Sequence, residues 1–394
     1  MLRRNDRKLD NIPAGPLGII ALDGCQIMGN KVNNYLVQWR KEDGPEYKND
    51  IVFSGYERDN YLIQAKVPRF GSGEGKGSLE ESVRGRDIYL MVDVCNYNLT
   101  YKMNGRENHM SPDDHYQNLK RVIAAIGGKA KRINVIMPFL YESRQHKRSG
   151  RESLDCALAL QELVRMGVDN IITFDAHDPR VQNAIPLHGF ETIRPTYQFV
   201  KALLRNVKDL KVDSDHMMAI SPDEGATERA VYLANVLNLD MGMFYKRRDY
   251  TRVVNGRNPI VAHEFLGSSV EGKDVIILDD MISSGESILD VARQLKQRKA
   301  KRVFAAATFG LFTNGLEKFD QAYEEGIIDA VLTTNLIYQT PELLERPYYI
   351  SCGMSKYVAL LIDTLNHDGS ISDILDPSER IQDVTTRYKN GEAI

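Results

Sequence analysis

The sequence predicts an α/β fold with mainly parallel sheets, divided between two domains. Three observations carry that expectation. Short apolar runs end in polar or glycine-rich turns and pass into segments of helical period, the alternation that a parallel sheet with crossover helices produces. The run Val275-Ile276-Ile277-Leu278 is apolar at every position, as a strand covered on both faces must be. The chain has 394 residues, long for one core and comfortable for two.

In the first half, apolar runs place strands at residues 17–22, 51–53, 87–92, 133–138 and 170–174, with helices over 25–39, 113–126 and 151–166. In the second half, strands are expected at 217–221, 243–245, 275–278, 302–308 and 330–333, and helices at 195–205, 227–237, 287–298 and 315–325. The period change is plainest after Ser287, where Ile288, Leu289, Val291, Ala292 and Leu295 mark one helical face. Residues 41–50 are charged and contain Gly44-Pro45, the composition of a surface insertion. Residues 70–78 hold four glycines and read as a loop. Residues 249–272, with Gly256, Pro259 and Gly267, suit an active-site flap or a plain hairpin.

Composition excludes several classes. With 51 basic and 54 acidic residues, the chain lacks the positive excess of a dedicated nucleic-acid binder. No apolar run reaches membrane-spanning length. Four widely spaced cysteines, Cys25, Cys95, Cys156 and Cys352, fit neither a zinc motif nor a disulfide framework, so the expectation is reduced thiols in a cytoplasmic protein.

In folds of this class the carboxyl ends of the strands carry the chemistry. The strand at 275–278 runs into Asp279-Asp280-Met281-Ile282-Ser283-Ser284-Gly285-Glu286-Ser287. Ser283, Ser284, Gly285 and Ser287 can offer hydroxyls and N–H groups to a phosphate at a helix N-terminus. Asp279 and Asp280 suit a ribose diol or Mg²⁺, although such a pair can also simply cap a helix. Phe174-Asp175-Ala176-His177 ends another strand, and Ser221-Pro222-Asp223 a third; His177 and Asp223 are candidate cation ligands. Tyr245-Lys246-Arg247-Arg248 puts three cations at the mouth of the 249–272 segment, either a solvated turn or mobile charges for a phosphoryl-transfer transition state. Residues 141–151, which include Arg144, Gln145 and His146, form a basic turn suited to polyphosphate. There is no P-loop and no kinase glycine loop.

From Arg69 to Leu375 the ordered set resembles the ribose-phosphate diphosphokinases, which make 5-phosphoribosyl 1-diphosphate from ribose 5-phosphate and ATP. Arg69-Phe70-Gly71-Ser72-Gly73-Glu74 and Glu81-Ser82-Val83-Arg84-Gly85 resemble that family's Arg-Phe-x-Asp-Gly-Glu and Glu-Ser-Val-Arg-Gly. The resemblance implies two related type I phosphoribosyltransferase-like α/β domains, each a mainly parallel sheet flanked by helices. Their expected bounds are 17–194, joined by 354–376, and 195–353, with an extension at 1–16 and a tail at 377–394. It implies ATP contacts from Arg144 and Gln145, with Phe70 and Glu74 reaching adenine from a neighbouring subunit. It also implies Mg²⁺ held by His177 and Asp223, ribose 5-phosphate held by Asp279, Asp280, Ser283, Ser284, Gly285 and Ser287, and catalysis by Lys246, Arg248 and His177. Ser82, Arg84, Ser370 and Ser372 match residues near a regulatory phosphate or ADP site between subunits. The assembly implied is a homo-oligomer built from dimers, with the hexamer among its forms.

Five residues depart from the family pattern: Ser72 for Asp, His146 for Asp, and, in the ribose-phosphate loop, Ser283, Glu286 and Ser287, with Glu286 where Gly is usual. A carboxylate in a phosphate loop opposes its ligand, so either Glu286 points away or the acceptor is a larger ribose phosphate such as ADP-ribose. Ser72, His146 and Glu286 together also suit a non-catalytic regulatory subunit. A phosphoribosyltransferase would leave the Phe70, Glu74 and Arg144 matches without a purpose.

Overall fold

The computed structural model describes residues 12–47, 55–248 and 260–394. The first domain opens with β1 (Leu17–Ala21), followed by a ribbon of β2 (Ala65–Lys66) and β3 (Ser78–Leu79), then β4 (Asp87–Met91). A hairpin of β5 (Thr100–Met103) and β6 (Arg106–His109) precedes β7 (Arg132–Ile136), β8 (Asn170–Phe174) and β9 (Gly189–Ile193). The main sheet is wholly parallel, in the order β1-β4-β7-β8-β9.

The second domain contains β10 (Met217–Ser221), β11 (Asp240–Arg248), β12 (Ile260–Leu266), β13 (Asp274–Ile282), β14 (Arg302–Gly310), β15 (Ala330–Thr334) and β16 (Tyr349–Cys352). Its order is β12-β11-β10-β13-β14-β15-β16, parallel except where β12 turns back on β11. Central strands are buried along their length, as in β10, which explains their unbroken apolar sequence.

The two domains start a central strand pair in the same way. Asp87 on β4 stands opposite Arg132 on β7 and receives its guanidinium at 2.9 and 2.7 Å. Asp274 on β13 stands opposite Arg302 on β14 and receives it at 2.8 and 2.6 Å. Such planar two-bond pairs fix geometry as well as charge. Asp87 also accepts from Asn366 at 2.9 Å, on the helix Ser355–Asn366. Tyr357, Val358, Leu361 and Ile362 of that helix join the first domain's core. The helix Ser378–Lys389 lies instead on the second domain, against Thr196–Asn206 and Thr227–Leu237, burying Ile381 and Val384. The 377–394 segment is therefore largely a packed helix.

Other differences from the sequence reading have local causes. The first helix runs Gln26–Tyr47, through part of the expected insertion at 41–50. Arg40 is buried and bonds Asn366 at 2.7 Å, and Lys41 pairs with Asp59 at 2.6 Å, so packing extends the helix. The expected 51–53 strand lies outside the described residues. So do residues 249–259, although β11 and β12 make the flanking segment a hairpin. All four cysteines are free. Among the described residues no helix is long and apolar enough to cross a membrane.

Candidate active site

A cleft of ≈ 650 Å³ opens where the exits of β8, β10 and β13 converge. The first domain supplies Asp175 to Arg180 and the turn with Arg144 and His146; the second supplies Asp223, Arg229, Asp279, Asp280 and Ser283. His177 Nδ1 lies 2.7 Å from Asp280 Oδ2 across the domain boundary. That hydrogen bond raises the imidazole pKa, against the opposing effect of burial. Burial alone would push the Asp280 carboxyl up, but the bond to His177 and the Arg229 charge outweigh it and hold it low. Its neighbour Asp279 goes the other way, raised by burial and by the charges of Asp280 and Asp223.

Asp175 ties the two domains more firmly. It adopts φ +41° as the chain leaves β8, a left-handed conformation that aspartate tolerates better than most residues. Its carboxylate accepts from Arg229 Nε at 2.8 Å and from the Thr308 hydroxyl at 2.7 Å. Arg229 sits in the first turn of Thr227–Leu237 and reaches the Ala176 carbonyl as well. It is the cation that compensates the acidic strand exits. Asp178 is held low, to about 2, by the Arg180 guanidinium. His146 Nε2 lies 3.5 Å from Asp178, its ring 5.4 Å from that of His177.

The candidate phosphate loop passes into the helix Glu286–Gln297 at its N-cap Gly285, which adopts φ +82°. A Cβ there would meet the Phe319 ring at 2.3 Å, so only glycine fits. No side chain caps this helix, which leaves its N-terminal dipole available to an anion. Ser283 lines the cleft, while Ser284 accepts from the Glu286 amide at 3.4 Å. Glu286 points away: its carboxylate pairs with Lys318 at 2.5 Å, both side chains being exposed. Of the two readings of Glu286, the structure supports the outward one.

A cation suits the converging carboxylates of Asp223, Asp279 and Asp280, whose mutual repulsion it would relieve. Among the described residues no three His, Cys, Asp or Glu side chains form a ready-made cage. That is ordinary for Mg²⁺, which takes one or two protein ligands and fills its shell from substrate phosphates and water.

Residues 17–167 match the N-terminal domain of ribose phosphate pyrophosphokinase, and residues 191–345 match a phosphoribosyl transferase domain. The ribose-phosphate pyrophosphokinase of Mycoplasma genitalium is 31% identical over 275 residues, covering 68% of this chain and 74% of the relative. The chain belongs to the ribose-phosphate pyrophosphokinase family. The Pasteurella multocida member is 29% identical over 315 residues, spanning 79% of this chain and 90% of its own. The phosphoribosylpyrophosphate synthetase from Mycobacterium smegmatis shares the fold, with a TM-score of 0.69 over 90% of this chain and 99% of that one, at 22% identity.

Against that family background, the expected site residues fall into four groups. His177, Asp223, Asp279, Asp280, Ser283 and Arg144 meet at the cleft. Gln145 stands in the same turn, its amide donating to the Ser153 carbonyl at 2.8 Å. Phe70 and Glu74 lie away from the cleft lining; Phe70 is 56% exposed, and Glu74 accepts from Ser72. The backbone of Lys246 and Arg248 closes β11; their side chains fall outside the described residues. Ser370 donates to Ser372 at 3.0 Å, and Ser82 accepts from the Arg84 amide at 3.4 Å. Both segments flank the amino-terminal ends of β4 and β7, through Arg86 and Asp368. Arg229 and Thr308 carry no role in the sequence reading. The available signal was Arg229 at a helix start, beside strands that end in acid.

Proposed function

We propose that this protein transfers the β,γ-diphosphoryl group of Mg-ATP to the C1 hydroxyl of ribose 5-phosphate, giving 5-phosphoribosyl 1-diphosphate and AMP. The observation that carries the reading is the His177–Asp280 hydrogen bond, which unites the acidic strand exits of both domains over one cleft. Asp279 and Asp280 orient the ribose hydroxyls, and Ser283, Ser284, Gly285 and Ser287 hold the 5-phosphate at the helix N-terminus. Arg144 and Gln145 hold ATP, with Phe70 and Glu74 of a neighbouring subunit against the adenine, which makes a homo-oligomer part of the proposal.

The C1 oxygen attacks the β-phosphorus as the bond to the α-bridging oxygen breaks. AMP leaves with that oxygen, and the hydroxyl proton passes to solvent. His177 stays oriented by Asp280 at the cleft floor, and Lys246 and Arg248 stabilise charge building on the phosphoryl oxygens. His177 and Asp223 would hold Mg²⁺, which would supply charge neutralisation at the phosphate oxygens. No covalent enzyme intermediate is needed. Free thiols and phosphorylated metabolite substrates support a cytoplasmic setting.

The outward course of Glu286 favours plain ribose 5-phosphate over ADP-ribose. Phosphorus NMR of the protein with Mg²⁺, ATP and a panel of ribose phosphates tests this. A 1-diphosphate of ribose 5-phosphate with stoichiometric AMP is expected, and Lys246→Ala should slow it roughly 10²- to 10³-fold. Product only from ADP-ribose, or none from any acceptor, would reject the reading.

A further inference from the structure

A second pocket, of ≈ 280 Å³, lies between the helices Thr196–Asn206, Ser355–Asn366 and Ser378–Lys389. It shares no lining residue with the catalytic cleft. Four cations, Lys201, Arg205, Lys356 and Arg380, line it. No carboxylate does. Arg205 is engaged by the backbone oxygen of Ile394 at 2.8 and 2.5 Å, and Arg380 by the Asp373 and Ile374 carbonyls at 3.1 and 3.0 Å. Lys201 has only the Tyr197 ring, with its ammonium 5.8 Å from the centroid, and Lys356 has neither hydrogen bond nor ion pair among the described residues. Two half-buried ammonium groups thus share a polar concavity without a counter-charge, an arrangement that favours an incoming anion.

Three further features of the pocket suit that occupant. The end of β16, Ser351-Cys352, and the following Gly353 form its rim and lead into Ser355–Asn366, a helix of 12 residues with no side-chain cap. The N-terminal dipole of that helix adds to the positive field. Gln198, also in the lining, has a buried amide oxygen without a partner. An amide can present either its oxygen or its NH₂ to a ligand, so it can serve a phosphate oxygen or a hydroxyl. Burial lowers the Lys201 ammonium pKa, and the charges that lower it further, Arg205, Lys356 and Arg387, are all positive. Asp383, on the helix Ser378–Lys389, is an acid whose charge acts on Tyr197 of the lining.

We propose that this pocket is a second anion site, built to bind a phosphate group, either as the free ion or on a small phosphorylated metabolite, through Lys201, Lys356 and the N-terminus of Ser355–Asn366. Its volume is at the lower end for small-molecule sites, which suits one phosphate or a compact monoester. Because its walls come from the helix that rejoins the first domain and from helices of the second, an anion here links the two.

The test uses the full-length protein, wild type and Lys201→Gln/Lys356→Gln. Crystals are soaked in tungstate, a phosphate mimic located by its anomalous signal. A peak within hydrogen-bond reach of Lys201 and Lys356 in the wild type, lost in the double variant while peaks in the catalytic cleft persist, supports the site. No peak in the wild-type pocket, or one kept by the variant, overturns it. Calorimetric titration with inorganic phosphate and, separately, with AMP distinguishes the sources, the tighter arm naming the ligand. The double variant should lose one binding event per chain or weaken it roughly tenfold or more; unchanged stoichiometry and affinity in both arms count against the proposal. Should the double variant fail to fold, Lys356→Gln alone, on a half-exposed side chain, provides the same comparison. Turnover of ribose 5-phosphate in the double variant keeps this test separate from that of the catalytic reading.

Discussion

His177 and Asp280 are 103 residues apart in the chain, yet Nδ1 of one lies 2.7 Å from Oδ2 of the other, across the boundary between two domains. The bond orients the imidazole and leaves Nε2 as the nitrogen available for phosphate or cation. If orientation is what Asp280 gives His177, the two act as one unit. His177→Ala and Asp280→Asn should each lower kcat/KM by about 10²-fold or more. The double variant should fall well short of the product of the two losses, by tenfold or more, because contacting residues couple. Multiplicative losses in steady-state kinetics would show that the residues act independently.

Arg229 is the cation that lets Asp175 and Asp280 remain buried together, with side-chain exposure of 13% for the arginine and 7% for Asp175. Removing it leaves charge without compensation in a poorly hydrated place. Arg229→Ala should destabilise the protein by about 3 kcal/mol, read from the urea midpoint. Thr308→Val, which removes one hydrogen bond to the same carboxylate, should cost about 1 kcal/mol. Equal effects of the two would mean that the guanidinium adds nothing beyond a neutral donor.

Glu286 follows Gly285 in the proposed phosphate loop, yet its side chain turns to the surface. Its carboxylate is spent on Lys318 at the surface, and that ammonium holds its pKa low. Solvent-exposed pairs contribute little and are screened by salt. Glu286→Gln should therefore change KM for ribose 5-phosphate by less than about threefold. A tenfold fall in KM would show that the carboxylate does repel the substrate.

How far the sequence displays this site depends on where each residue's partners lie. β8, β10 and β13 are buried along most of their length, so hydrophobicity alone marks them, and their acidic exits stand out by contrast. β9 mixes Glu191 and Thr192 into a half-buried edge, and β16 is a short edge strand with Ser351 exposed. Neither has the pattern of a covered strand. The pairing of Arg229 and Thr308 with Asp175 spans both domains, and no local period encodes it. The position of Glu286 was legible, but its direction was not, because Lys318 belongs to another helix. The family resemblance supplied the order of the motifs, whereas side-chain direction needed the fold.

Asp93 gives a pH dependence whose sign can be worked out. Its side chain accepts from the Cys95 and Tyr338 amides at 2.9 and 2.7 Å. Burial nevertheless dominates those bonds and pushes the carboxyl up to about 7. An unfolded aspartate ionises near ~3.9, so between these values the folded state keeps a proton that the unfolded state has lost. Stability must then fall as pH rises through that window, and this group adds no further slope above it. Asp93→Asn removes the titration, so its urea midpoint should vary less than that of the wild type between about pH 4 and 7. Parallel curves for the two proteins would mean that Asp93 is ionised throughout.

Gly285 places two separate demands on one position, and they can be tested apart. Its φ of +82° is costly for any residue with a Cβ, and the Phe319 ring occupies the space a Cβ would need, at 2.3 Å. Gly285→Ala should therefore displace the loop from the N-terminus of Glu286–Gln297. KM for ribose 5-phosphate should rise by roughly tenfold or more, since the proposed phosphate site there depends on geometry as much as on charge. Phe319→Leu in the same chain opens room for the methyl group but leaves the backbone conformation unfavourable, by about 1 kcal/mol. The double variant should accordingly recover part of the lost affinity and not all of it. Full recovery would assign the glycine to packing alone, and no recovery would assign it to backbone conformation alone.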